Sequence, residues 1–145
     1  MKKAGNIKPE EQVDLTLSDD INENLAKLKA FLEESSDIVF REFKLGLNEI
    51  HCALTYVDGL IDKEVVNNHI LKSFMYQVTI LEGNRGKPID NSEAFNGVKE
   101  HVVSIGEIDE VVTLDEAMHS ILSGDVVIII DGFNKFISVS AKGWP

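Results

Sequence analysis

The sequence has a single cysteine in 145 residues, so no internal disulfide can form. It has no Asn-x-Ser/Thr acceptor, and nothing in it points to secretion. Cations are scarce: 14 Lys and Arg stand against 25 Asp and Glu, a net charge of −11. That balance argues against general nucleic-acid binding, which needs cations clustered on phosphate, and against a polybasic membrane patch. No apolar run approaches the roughly 20 residues of a spanning helix. The longest, Val126–Ile130, is strand length. Met1-Lys2-Lys3-Ala4-Gly5-Asn6 has no apolar stretch behind its lysines and does not read as a signal peptide. What is present is ordinary for a globular chain: 43% apolar and 27% charged residues, which excludes disorder throughout. The length allows one ordinary domain or two very small ones. Composition alone describes a soluble, acidic, intracellular domain.

The pattern along the chain predicts an α/β fold, with α+β open, built as two small packed subdomains, each a short sheet with helices. Residues 1–17 read as an extended leader. The first subdomain covers 18–81. Asp20 is placed to cap a helix, with Glu23 at capping-box spacing, and Ile21, Leu25, Leu28 and Leu32 recur at helical period. Residues 33–37 break that pattern. Ile38–Leu45 and Ile50–Val57 alternate as strands, with a turn at 46–49. Asp58-Gly59 is a tight turn, and Asp62 caps a long helix to about Ile80 carrying Val65, Val66, His69, Ile70, Phe74 and Val78. Residues 82–90 read as a linker that neither a helix nor a central strand can enter, because Gly83, Gly86 and Pro88 fall within it.

The second subdomain covers 91–145. It holds a short helix near 92–100, a β-prone run at 101–105, and a helix opened by Thr113 and Glu116 and closed by Gly124. Then come a buried strand Val126–Ile130, a turn at Asp131-Gly132 and a returning strand over 133–140. Acidity is shared: nine Lys/Arg against fourteen Asp/Glu up to Leu81, five against eleven beyond it. It is a property of the whole surface and marks no single patch.

Little of this carries chemistry. Gly83-Asn84-Arg85-Gly86-Lys87 has Leu81 where a phosphate loop needs its first glycine and Pro88 where it needs a hydroxyl. None of His51, His69, His101 and His119 has a partner at zinc-ligand spacing except the adjacent His51-Cys52, whose side chains leave a strand on opposite faces. Cys52 reads as a buried, inert thiol. Asp115 and His119 read as a surface helical pair. Asp58, Asp62 and Glu64 form an acidic group after a strand, a place where carboxylates can do acid–base work or hold a cation. The plainer reading gives Asp58 to the turn, Asp62 to the cap and Glu64 to the helix dipole. No catalytic residue, metal or cofactor is expected.

An ordered series of short motifs resembles a known family. It runs Phe43-x-Leu45-Gly46, then Cys52-Ala53-Leu54-x-Tyr56-Val57-Asp58-Gly59-Leu60-Ile61-Asp62-Lys63, then Val66-Asn67 and Ile70-Leu71-Lys72-x-x-Met75. It continues with Ile105-Gly106-Glu107-Ile108, Leu122-Ser123-Gly124-Asp125, Ile130-Asp131-Gly132-Phe133 and Lys142-Gly143-Trp144. Over residues 38–145 the chain is similar to the N-terminal domain of the A subunit of GerA-type spore germinant receptors.

The resemblance implies a hydrophilic domain of a spore inner-membrane protein, on the cytoplasmic, spore-core side. The membrane region would follow the Gly-Trp stretch, so Pro145 would mark a domain edge. It implies B and C receptor subunits as partners, a small nutrient such as an amino acid, sugar or nucleoside as a possible ligand, and no nucleic acid. It carries over no catalytic residues. The turns that match its motifs make Asp58, Gly59, Asp62, Asp131 and Gly132 the ligand-binding candidates. The expected function is germinant sensing, or receptor assembly and signalling, with the nutrient or a neighbouring subunit in a groove between the two subdomains and a hinge at residues 83–88. The alternative is a purely structural protein–protein module. An enzyme using Asp58, Asp62 and Glu64 is the remotest reading.

Overall fold

The computed structural model describes residues 15–32 and 37–140. The leader up to residue 14, the break at 33–36 and the Lys142-Gly143-Trp144 motif lie outside the described residues. The elements in order are α1 (Ile21–Leu32), β1 (Ile38–Leu45), β2 (Ile50–Val57), a π-helical segment (Val65–Lys72) running directly into α2 (Ser73–Arg85), α3 (Asn91–Val102), β3 (Glu107–Val111), α4 (Leu114–Leu122), β4 (Val126–Ile130) and β5 (Phe136–Ser140). Helices and strands mix as the α/β reading expects. The strands of the two segments join into one five-stranded antiparallel sheet, in the order β1-β2-β4-β5-β3. The join is β2 against β4, with Cys52 opposite Ile130 and Thr55 opposite Val127.

The apolar run of β4 explains the join. All five of its residues are buried, which requires a strand paired on both edges and covered on both faces. Alternation then sorts the core into two layers. Leu54, Tyr56, Ile128 and Ile130 point to one face, where the π segment, α2 and α3 cover them with Val66, Ile70, Phe74, Phe95 and Val98. Ala53, Val127, Ile129 and Phe136 point to the other, where α1 and α4 supply Ile21, Leu25, Leu28, Leu114 and Ile121. The result is three layers with helices outside.

Three sequence expectations change. Residues 82–85 belong to α2, which ends only when Gly86 takes a left-handed conformation at φ 73°. An exposed glycine such as Gly83 weakens a helix by about 1 kcal/mol, which the packing of α2 outweighs. The β-prone run at 101–105 instead divides between the last two residues of α3 and a turn at 103–105, because Val102 continues the buried stripe of Ala94, Phe95 and Val98. The strand of that region is β3, four of whose five residues are not buried. At an edge such a strand needs little apolar signal.

Candidate functional site

The five candidate residues occupy two turns at opposite ends of the sheet. Asp131 follows β4, and its N–H donates to the His51 carbonyl at the start of β2 (2.9 Å). Asp58 follows the end of β2. Asp58 lies seven residue steps along the strand from His51, about 23 Å at strand rise. The two turns therefore cannot grip one small ligand.

Each turn is occupied with structure. Asp58 donates its N–H to the Asp37 carbonyl at 2.7 Å, and its carboxylate meets Lys63 at 3.3 Å. Asp62 Oδ1 accepts from the Glu64 N–H at 2.8 Å. Gly59 has φ 96°, a conformation that favours glycine. At the other end Asp131 Oδ1 accepts from the Ile21 N–H at 3.0 Å, closing the open N-terminus of α1 from 110 positions away. The Asp131 carbonyl accepts from Asn91 at 2.7 Å, and the Gly132 N–H donates to Asp19. Gly132 has φ 98°, and a Cβ there would meet Asn91 Nδ2 at 3.1 Å. One turn thus ties together β2, β4 and the starts of α1 and α3. His51 bonds Glu42 at 2.7 Å, while Cys52 lies in the core on the opposite face.

What the chain does form between the earlier and later segments is a groove of about 400 Å³ on the outer side of α2 and α3. Phe74, Val78 and Ile89 give it an apolar floor, and Gln77, Glu100 and His101 give it polar walls. Gly97 lets the two helices approach, since a Cβ there would sit 3.3 Å from the Phe74 ring. The His101 ring lies 5.6 Å from that of Phe74, and its Nε2 donates to the His69 carbonyl of the π segment at 3.0 Å. No lysine or arginine lines the groove among the described residues.

The groove's closed end is held firmly. The Glu82 carboxylate is buried and accepts from the Ile89 N–H at 2.9 Å and the Leu47 N–H at 3.1 Å. Arg85 donates to the Pro88 carbonyl at 2.7 Å and to Glu93 at 2.8 Å. That guanidinium lowers the Glu93 carboxyl from its ordinary 4.5 to about 2. Asp90 and Glu93 form a complete capping box on α3. The Asp-x-x-Glu spacing at 90–93 is the sequence signal for that helix start, and it falls within the stretch 82–90 whose glycines and proline suggest a linker. Among the described residues no three His, Cys, Asp or Glu side chains converge as metal ligands.

The family model of the Bacillus/Clostridium GerA spore germination protein matches residues 26–145, and the chain belongs to that family. It is 27% identical over 134 residues to the uncharacterized membrane protein YfkQ of Bacillus subtilis (strain 168), covering 92% of this chain and 24% of that protein. Spore germination protein KA of the same organism is 22% identical over 135 residues, covering 92% and 23% respectively. Spore germination protein GerLA of Bacillus cereus is 24% identical over 131 residues, covering 90% and 25%. The chain thus spans about a quarter of the length of the curated relatives it matches. Its fold is similar to the crystal structure of the N-terminal domain of the A subunit of the Bacillus megaterium spore germinant receptor GerK3. There the TM-score is 0.75 and the identity 29%, over 91% of this chain and 50% of that one. The resemblance drawn from the ordered motifs holds for family and for fold. No helix among the described residues is long and apolar enough to cross a membrane.

Proposed function

We propose that this GerA-family domain takes part in germinant sensing, with a small nutrient held in the groove between α2 and α3. The observation that carries the reading is the groove itself. It has an apolar floor, a few convergent polar groups and walls from both halves of the chain, the usual make-up of a small-molecule site. In a full-length A subunit the domain would sit at the spore inner membrane on the core side and work with B and C subunits. Occupancy of the groove would be passed on through α2 and the π segment. The anchored bonds at Glu82 and Arg85 favour small adjustments of α2 against α3 over a free hinge at 83–88.

Calorimetry and amide NMR on the 145-residue chain, titrated with amino acids, sugars and nucleosides, test this. Saturable shifts at Gly97 and His101 are expected. Silence at millimolar concentration across all three classes would sink the sensor reading. The second reading, a protein–protein module, is favoured by the exposed apolar side chains of Leu47, Leu60, Tyr76 and Val103. A pull-down of B or C subunit that weakens with salt would support it, since rim charge pairs are screened.

A further inference from the structure

Ser73–Leu81 holds no charged residue, in a chain where 27% of residues are charged. This stretch forms most of α2, which is apolar on more sides than its own fold uses. Phe74, Val78 and Glu82 make the side that the core buries. Gln77 and Leu81 face the α2–α3 groove. A third side lies away from both. There Tyr76 is 68% exposed and Ile80 43%, with Thr79 and Gly83 beside them and also exposed. A helix that is apolar all round is normally buried all round. Glycine weakens a helix interior, yet a Cβ on Gly83 would meet nothing within 4 Å, so nothing within the described residues requires a glycine there. Thr79 turns its hydroxyl back onto the Met75 carbonyl at 3.0 Å and so asks for no polar partner.

Shape and charge select the occupant. Residues four apart line up as ridges on a helix surface. Tyr76 and Ile80 form a tall ridge, and Thr79 and Gly83 form a low row beside it. With two copies of α2 antiparallel about a two-fold axis between positions 79 and 80, each ridge meets the other copy's low row. Tyr76 of each copy then covers the bare backbone at Gly83 of the other. A face that matches itself is what an isologous dimer requires. Helices packed through such rows cross at about −50°. Their ends therefore splay, which keeps the flanking Lys72 and Lys87 of the two copies apart. Each chain carries a net charge of −11, and like-charged copies approach most readily where charge is absent. The geometry points to α2 as the docking surface for a second copy of this chain, joined through Tyr76, Thr79, Ile80 and Gly83. This surface is separate from the groove and holds whether or not a nutrient binds there.

Sedimentation equilibrium of the 145-residue chain from micromolar to millimolar concentration tests this, with amide NMR over the same range. A monomer–dimer equilibrium is expected, with concentration-dependent shifts at Tyr76, Ile80 and Gly83. Dimerisation should tighten as salt screens the repulsion between two acidic chains, opposite to the salt response of a charge-paired contact with a B or C subunit. Tyr76→Asp should weaken it about tenfold or more, because a charge would enter the apolar contact, and should leave the melting temperature of the dilute monomer unchanged. Gly83→Gln should move two readouts in opposite directions. The monomer should melt higher, because a helix former replaces glycine, and association should weaken, because the low row is filled. A chain that stays monomeric at millimolar concentration overturns the proposal and leaves the face to a different protein. So does a dimer whose shifts map elsewhere, or one that folded Tyr76→Asp and Gly83→Gln chains leave intact.

Discussion

Replacing Glu82 by alanine offers the sharpest test of how the α2–α3 groove is held. Glu82 is 6% exposed, and its carboxylate serves two backbone donors, Ile89 N–H at 2.9 Å and Leu47 N–H at 3.1 Å. Ile89 is itself buried, so its amide loses its only acceptor and water cannot readily replace it. An orphaned buried donor costs about 1–3 kcal/mol. The Leu47 amide sits at an exposed turn and recovers most of its loss from solvent. Relief of the buried charge offsets part of the remainder. The expected net loss is about 1–2 kcal/mol, or roughly 3–6 °C in melting temperature for a chain of this size. Glu82→Gln keeps an acceptor oxygen and should lose clearly less. A neighbour makes the argument stricter. A Cβ on Gly46, at φ 75°, would lie 2.6 Å from Glu82 Oε2. Gly46→Ala should therefore cost more in the parent than in a Glu82→Ala background, where the clash is gone, and a double-mutant cycle reads that coupling. Calorimetric melting of the four chains decides it. A Glu82→Ala chain that melts within about 1 °C of the parent, or strict additivity with Gly46→Ala, refutes the clamp.

Three further outcomes are expected. Arg85 holds Glu93 ionised down to about 2, so its contribution is complete above 4.5 and is lost as pH falls from there toward 2; Glu93→Gln should flatten stability in that window, and acid titrations of identical slope would contradict it. Burial, helped by the charge of Asp131, pushes the Cys52 thiol up to about 12, so iodoacetamide labelling at pH 8 should track global unfolding, and rapid full labelling of the native chain would contradict that burial. Phe74→Ala should cost about 3–5 kcal/mol by denaturant unfolding, since Phe74 is buried between the sheet and α3; in a full-length receptor this would first appear as lower subunit abundance, and unchanged unfolding would refute its place in the core.

Strong local periodicity made much of the fold legible in the sequence. Ile21, Leu25, Leu28 and Leu32 are all buried on α1, and β2 and β4 lie where alternation and the apolar run put them. Thr113 accepts from the Glu116 N–H at the start of α4, as its spacing indicated. Less legible were features set by tertiary context. The π segment uses i→i+5 bonds that no propensity encodes, although five of the six stripe residues chosen there are buried. β3 is an edge strand read only through its partner β5. The candidate residues were legible as turns, and turns they are. The groove was not, because its floor comes from Phe74, Val78 and Ile89, ordinary core residues whose shared cavity appears only when α2 and α3 pack.

The β2–β4 pairing has a consequence for synthesis. Cys52 must wait for Ile130, 78 positions later, before its edge of the sheet is closed. The β1–β2 hairpin can form as soon as it clears the ribosome, and α1 can coil beside it. Until β4 emerges, however, β2 has one bare edge, and α1 lacks the Asp131 cap. Folding of the nascent chain is therefore committed late, by its last two strands. A ribosome stalled before residue 126 should display a hairpin open to protease and to chaperones, while one stalled far enough beyond residue 140 for β5 to emerge should not.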